Sequence, residues 1–318
     1  MPLEIRPATH QDDAAVVELF QTVEVPISAR YWQRSFDPDQ PAEWKSTPFV
    51  AMDHHGKAVA FCIARPRTLL FNHEQLPAQI LHELVFHPMD IFPEGQREFL
   101  QEVVQRSEFT VLAGAGLELT RILDRERFLR AGAMERWRVP AEMKTLKNKN
   151  TPELTTGIPD SGELTDLIHR ALVEENRFHF RRDPESFLWM HGWPGSESRE
   201  VIQGRRNGVL EFVVVSRTAR GTKGDEMHLV DGIVPEQTME EMMQALMEKS
   251  TRRGMPLYLS FFGGSMGSTL GDMGVEQLRP RWPIYWMIRD PKQRSLMNIL
   301  LRKEHWHFFP ADGEIDHH

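Results

Sequence analysis

Two segments of the chain show short β-rich apolar runs on either side of a turn. Residues 49–65 form one such pair around His55-Gly56, and residues 199–217 form the other around Asn207-Gly208. Asn-Gly favours a tight hairpin because both turn positions require positive φ. The pattern therefore predicts a β-hairpin in each half of the chain.

The elements after each hairpin recur in the same order. A strand ends at Pro88 and at Pro235, an amphipathic helix follows, and the next strand comes 22 residues later in both halves. A helix or loop ending in glycine, at Gly132 and Gly274, then leads to a tryptophan-containing strand. Alternating strands and helices indicate an α/β layered fold. The matched spacing favours a duplication, although any α/β chain gives somewhat similar strings.

A polar stretch separates the two halves. It is rich in Lys, Asn, Thr, Pro and Gly and has few large apolar residues, so its packing would not offset the entropy of ordering it. We therefore predict an N-terminal domain of residues 1–142, a linker of residues 143–162 and a C-terminal domain of residues 163–318.

Composition narrows the class of protein. The 318 residues are 40% hydrophobic and 26% charged, which is typical of globular domains, and the net charge of −8 argues against non-specific nucleic-acid binding. No apolar run is long enough to span a bilayer, and the N-terminus does not resemble a secretory signal. The single cysteine, Cys62, lies in an apolar run and is expected to be buried. These features predict a cytoplasmic protein without disulfides.

Several segments together resemble GNAT (Gcn5-related) acyltransferases. The opening strand Leu3–Thr9, the following helix and the order of later elements are similar to that superfamily. The closest likeness is to tandem GNAT-like proteins linked to bacterial surface-polysaccharide synthesis, through Ala29–Trp32, Arg182–Trp189 and the closing Trp306–Asp316. The resemblance implies two tandem GNAT-like domains, each a mixed, mostly antiparallel sheet flanked by helices.

The resemblance also implies a function. It predicts an N-acyltransferase that moves an acyl group from acetyl-CoA or another acyl-CoA to a small amine, such as an amino sugar. It places Glu83 and His87 at the catalytic site. It assigns coenzyme A binding to five residues: Val85, Phe86, Gly95, Gln96 and Arg97. The structural alternative is that Glu83 is a strand-edge carboxylate and His87 a capping residue.

Two features of the superfamily are missing. Its glycine-rich phosphate loop corresponds here to Ile91–Gln96, where Glu94 adds negative charge and Pro93 removes a donor. Its proton-donating tyrosine lies four residues before a glycine, and Phe128 and Leu270 occupy that position before Gly132 and Gly274. These losses favour an alternative function as a catalytically silent ligand-binding or scaffold protein.

Other candidates concern the second half. One alternative is that only this half binds a ligand, in a groove between Asp231 and the glycine-rich loop Gly263–Gly267. No metal site is predicted, because no helical His-x-x-x-His or cysteine pair is present. His305 and His307 would share a face of a strand, but solvated tail side chains are the expected arrangement.

Overall fold

The computed structural model describes residues 3–24, 45–71, 74–143, 152–173, 177–191, 199–222, 224–289 and 296–310. The chain divides into two compact units. Unit 1 is drawn from Met1–Leu69, Leu76–Ala131 and Pro283–Met297, and unit 2 from Leu70–Gln75, Gly132–Trp282 and Asn298–His318. Each unit therefore contains segments from both halves of the sequence.

Unit 1 is built around a sheet with the order β1-β2-β3-β4-β5, followed by the second part of β13. Its strands are β1 (Glu4–Pro7), β2 (Thr47–Met52), β3 (Ala58–Phe71, which runs on into unit 2), β4 (Glu74–Phe86) and β5 (Phe109–Ala113). Its helices are α1 (Asp13–Thr22), α2 (Pro93–Val104) and α3 (Leu117–Arg125). Strands β4 and β5 are parallel, and β1 to β3 pair antiparallel.

Two apolar layers cover the faces of this sheet. On one face, Val16, Leu19 and Phe20 of α1 pack against Val50 and Phe61. On the other, buried side chains of α2 (Phe99, Leu100 and Val103) and of α3 (Leu123) pack on the central strands. Leu81 of β4 and Leu112 of β5 belong to this layer. The helical spacing of these residues explains why both helices lie flat on the sheet.

Unit 2 has a sheet with the order β6-β12-β11-β10-β9-β7. Its strands are β6 (Leu129–Val139), β7 (Glu153–Thr156), β8 (His179–Phe180), β9 (Arg199–Arg206), β10 (Val209–Gly221), β11 (Gly224–Ile233), β12 (Leu257–Phe261) and the first part of β13 (Glu276–Ile288). Its helices are α4 (Ser161–Ile168), α5 (Pro184–His191), α6 (Met239–Arg253) and α7 (Met266–Asp272), and the short α8 (Met297–Leu300) comes after β13.

Helices again cover both faces of the unit 2 sheet. The methionine-rich face of α6 packs on Phe212, Val214 and Leu229, while α4 packs on Val213 and Val215. Neighbouring residues of β10 thus point to opposite faces, as the two-residue period of a strand requires. The mixed α/β fold with mostly antiparallel sheets is as predicted.

The last strand of each half pairs with strands of the other half. Strand β6, from the first half, pairs with β12 through Val139↔Leu257 and its neighbours in unit 2. Residues 284–288 of β13, from the second half, pair with β5 through Tyr285↔Leu112 in unit 1. The segment limits 1–142 and 163–318 stay a prediction. Part of the stretch predicted as a linker forms β7, which pairs with β9.

Local patterns predicted the hairpins correctly. Asn207 and Gly208 have φ of 52° and 81°, so both turn positions are left-handed as expected. One local interpretation was wrong: Gly132 lies inside β6 rather than at a helix end. Helix α3 ends at Arg125, and the left-handed residue that follows it is Arg127, with a φ of 64°. If Arg127 takes the place of the glycine, the position expected for the tyrosine is Leu123. Like Phe128, Leu123 cannot donate a proton.

Candidate functional site

Strands β4 and β5 separate at a fork in unit 1. Their parallel pairing runs from Ala78↔Phe109 to Leu81↔Leu112. Beyond this point β4 continues to Phe86, whereas β5 ends at Ala113. The fork therefore opens beside residues 83–86.

Glu83 lies at the fork in an unusual backbone conformation. Its φ is 49°, the left-handed region that non-glycine residues seldom occupy. Simple alternation predicts Leu81 and Val85 on one face of β4, with Leu84 and Phe86 on the other. Instead Leu81, Leu84 and Phe86 pack in one apolar layer and Val85 in the opposite one. Simple alternation fails here because the left-handed Glu83 shifts it after Leu81.

The environment of Glu83 alters its acid–base behaviour. Burial raises the pKa of its carboxyl to about 7, because a charged carboxylate loses its water contacts there. A carboxyl with a pKa near neutrality can accept a proton and release it again at ordinary pH. Glu83 is therefore chemically suited to act as a general base.

His87, just beyond the end of β4, is held by several contacts. It is 5% exposed, and its backbone N–H donates to Val59 O at 2.8 Å. Its Nδ1 accepts from the backbone N–H of Asp90 at 3.0 Å, and its Nε2 lies 3.2 Å from Lys57 Nζ. Lys57 also donates to Asp90 Oδ2 at 2.7 Å. These contacts match the capping alternative, since the ring stabilises the turn that leads to α2.

A pocket of about 860 Å³ lies at the N-terminus of α2. Its lining combines charged and apolar side chains: Leu3, Asp53, His54, His55, Lys57, Met89, Asp90, Ile91, Phe92, Glu94, Gly95 and Glu98. Met89 and Phe92 are 78% and 72% exposed, so Phe92 does not close the pocket. The α2 N-terminus is accessible from this side.

The five residues assigned to coenzyme A lie at the fork and along the first turn of α2. Val85 and Phe86 are half-buried on opposite faces of β4, and the Phe86 ring meets Phe99 edge-on at 5.9 Å. Gly95 packs closely, since a Cβ there would lie 2.8 Å from Leu3 Cδ1. This packing accounts for the glycine without any phosphate.

Gln96 and Arg97 belong to a polar cluster between α2 and α3. Arg125 Nη2 donates to Gln96 Oε1 at 2.7 Å, and Arg97 Nε donates to Glu126 Oε2 at 3.2 Å. Arg125 Nε also contacts Glu126, at 3.3 Å. One carboxylate thus faces two guanidinium groups, and the cluster keeps a net positive charge that suits a phosphate.

A tyrosine that the sequence did not single out lies beside the fork. Tyr285 of β13 pairs with Leu112, which in turn pairs with Leu81. Its side chain is fully buried in the same apolar layer, and its hydroxyl has no hydrogen-bond partner among the described residues. No local motif could reveal this position, because Tyr285 reaches unit 1 only through strand pairing with β5.

The corresponding fork in unit 2 is filled by the chain itself. Strands β11 and β12 pair up to Leu229↔Leu259, and beyond that point Phe262 pairs with Phe308. His307 Nε2 lies 3.0 Å from Gly232 O, so this segment spans the fork. His307 is buried, and burial lowers its pKa well below its usual value. The expectation of solvated tail histidines was wrong for His307.

Asp231, predicted to line a groove in unit 2, is held by buried partners. Asp231 is fully buried; it accepts from Arg182 Nη1 at 2.6 and 2.8 Å and lies 2.7 Å from His191 Nε2. These partners hold the pKa of Asp231 well below its usual range despite burial, which alone would raise it. A Cβ at Gly263 would collide with Trp306 O. Asp231 and Gly263 are therefore both engaged by the chain itself.

The remaining sequence predictions concern two motifs, metal ligands, membrane spans and the single cysteine. The motif Ala29–Trp32 and the acidic end of Trp306–Asp316 lie outside the described residues. Within the described ranges, no cluster of three metal-ligating side chains occurs. No helix described here is both long and apolar enough to cross a membrane. Cys62 is buried as expected, and burial raises the pKa of its thiol.

Comparisons with known proteins give likenesses at the level of structure. No protein-family model and no curated protein matches the sequence. A GCN5-related N-acetyltransferase from Anabaena variabilis is similar, with a TM-score of 0.66, 10% identity and coverage of 89% of this chain and 72% of that one. A probable N-acyltransferase from Enterococcus faecalis gives a TM-score of 0.63, 11% identity and coverages of 89% and 72%.

A third similar structure was determined with a ligand. It is N-myristoyltransferase from Saccharomyces cerevisiae with bound myristoyl-CoA, with a TM-score of 0.59, 11% identity and coverage of 91% of this chain and 80% of that one. Identities this low establish the fold and leave the substrate open. The chain therefore has the fold of the GCN5-related N-acetyltransferases.

Proposed function

We propose that the protein is an acyl-CoA-dependent N-acyltransferase whose reaction takes place at the fork of unit 1. The observation that carries the proposal is Glu83: a left-handed residue at the fork whose carboxyl pKa is raised to about 7 by burial. A costly backbone conformation at a titratable group is typical of functional sites. The acceptor is a small amine, of which an amino sugar is one class, and the reaction takes place in the cytoplasm.

The chemistry assigns one role to each group. Acyl-CoA is the substrate that supplies the acyl group. The amine nitrogen forms a bond to the thioester carbon and gives its proton to the Glu83 carboxylate, directly or through water. The carbon–sulfur bond breaks, and the thiolate leaves with the electron pair. Tyr285 then donates the proton that this sulfur takes up, and Arg97 and Arg125 hold the phosphates.

One observation favours a second function. Asp90, Glu94 and Glu98 line the pocket at the α2 N-terminus, and Lys57 there is already paired with Asp90. Carboxylates at this position repel a pyrophosphate, although Glu94 is favourable to the helix itself. A protein with this acidic pocket and no acyl transfer would be a ligand-binding or scaffold protein.

Thermal unfolding with acetyl-CoA and with longer acyl-CoA esters separates these functions. A ligand at a hundred times its Kd stabilises the folded protein by about 2.7 kcal/mol, so we expect a clear rise in melting temperature. The double variant R97Q/R125Q should need a higher ligand concentration. R121Q is the matched control, because Arg121 pairs with Glu118 on the exposed side of α3. No rise with any ester at millimolar concentration would contradict the proposal and support the silent protein.

Replacing Tyr285 by phenylalanine should have opposite effects on stability and turnover. The change removes a buried hydroxyl without a described partner, so we expect the free energy of unfolding to rise by about 1 kcal/mol. Loss of the proton donor should lower kcat by at least about tenfold. Urea unfolding and steady-state kinetics measure the two effects. A purely structural tyrosine would leave kcat unchanged.

A further inference from the structure

Two arginines of unit 2 contact the same tryptophan. The guanidinium carbon of Arg136 lies 5.7 Å from the centre of the Trp282 ring, and that of Arg281 lies 5.4 Å from it. Both distances are within the range of a cation–π contact. Two positive charges are therefore held close together at one indole ring.

Neither of these guanidinium groups has a carboxylate partner in the part of the chain that the structure describes. Arg136 is half-buried, and its pKa is lowered by burial and by the charge of Arg281. The neighbouring Arg138, by contrast, pairs with Glu276 at 3.5 Å. Arg136 and Arg281 thus carry two positive charges that no described carboxylate compensates.

The backbone of Trp282 supports a specialised role. Its φ is 56°, which is strained for a bulky aromatic residue. The next residue is Pro283, and a residue before proline strongly prefers an extended conformation, so the strain has two independent sources. Such strain persists where the surrounding structure fixes it, often at a ligand site. Here it holds the indole within cation–π distance of both arginines.

Aromatic side chains continue this face of the sheet. Tyr258 of β12 pairs with Arg138 of β6 on one side and His228 of β11 on the other. The rings of His228 and Tyr258 stack with their centres 5.0 Å apart and their planes 13° from parallel. Leu257 and Leu259 point to the opposite face, under α6, so Tyr258 faces away from that core.

We propose that Arg136, Trp282 and Arg281 form a binding site in unit 2 for an organic phosphate that carries a flat ring. A phosphate monoester bears about −1.5 to −2 charges at neutral pH. A ligand with this charge balances the two arginines more completely than a ligand with a single carboxylate would. The aromatic groups offer flat surfaces for the ring. The positive region is too small to follow a nucleic-acid backbone, so the ligand is a small molecule. The site is independent of the acyl-transfer proposal.

Calorimetric titration of the full chain with AMP, in the absence of any acyl donor, tests the site. We expect AMP to bind, adenosine to bind at least about tenfold more weakly, and R136Q and R281Q each to weaken AMP binding by about tenfold or more. R252Q removes the same charge from the exposed end of α6 and should bind AMP normally. Undetectable AMP binding at millimolar concentration, or equal affinity in R136Q, R281Q and the unmodified protein, would overturn the proposal.

Thermal unfolding with AMP and competition between AMP and coenzyme A complete the test. AMP should raise the melting temperature of the unmodified protein and of R252Q but not that of R136Q or R281Q, which also shows whether each variant is folded. Coenzyme A carries an adenosine phosphate as well. Competition between coenzyme A and AMP that depends on Arg136 supports the site and identifies the acyl carrier as the phosphate source. If AMP still binds in the presence of saturating coenzyme A, the site is supported and its ligand is a molecule other than the acyl carrier.

Discussion

Glu83→Gln is expected to lower kcat by about 10²- to 10⁴-fold, the range that a general base contributes. Glutamine keeps the size and hydrogen-bonding capacity of the side chain but cannot take a proton from the amine. In the unmodified protein, kcat/KM should rise with pH up to about 7 and then level off, because burial raises the Glu83 pKa to about 7. Steady-state kinetics from acid to alkaline pH measure both effects. If E83Q kept full activity, the role of Glu83 as the general base would be contradicted.

The stability of the same variant provides a control. The folded-state pKa of Glu83 is raised, so folding is favoured by its protonated form, and this contribution is lost as pH rises through about 7. At pH values below the ordinary pKa of glutamate, the unmodified protein and E83Q should melt at the same temperature. Above about pH 7, E83Q should be the more stable one. A difference that does not change with pH would contradict the burial of the carboxyl.

Trp306→Ala is expected to destabilise the protein by about 3–5 kcal/mol, the usual cost of removing a buried tryptophan side chain. Trp306 is 1% exposed, donates through Nε1 to Leu300 O at 2.9 Å, and contacts the ring of Phe178 with centres 5.5 Å apart. It belongs to the segment that fills the fork of unit 2. Urea unfolding gives the free-energy difference.

Two variants calibrate this measurement. Trp306→Phe keeps an aromatic ring but loses the hydrogen bond to Leu300, so a smaller loss is expected. Leu301→Ala removes an exposed side chain directly after the buried Leu300 and should alter stability by less than about 0.5 kcal/mol. If W306A unfolds at the same urea concentration as the unmodified protein, the segment is not part of the unit 2 core.

Local sequence signals predicted most individual elements. The Asn207-Gly208 turn and the apolar spacing of α2 and α6 depend on neighbouring residues, so a sequence pattern contains the needed information. The faces of β4 could not be predicted in this way. A strict two-residue period leaves no place for the left-handed Glu83, and no glycine or asparagine marks it.

Long-range features of the site were beyond the sequence. Glu83 itself was singled out through the family resemblance, but the nearness of Tyr285 to the fork depends on which strand pairs with β5. The filling of the second fork by His307 and Phe308 depends on a contact with Gly232 and Phe262, far away in sequence. Glycine-loop and tyrosine motifs report only local spacing, and their absence says little about these contacts.

The exchange of last strands has a consequence for synthesis on the ribosome. Unit 1 needs residues 284–288 to complete its sheet beside β5. During synthesis, β5 therefore keeps an unpaired edge until residues 284–288 have emerged.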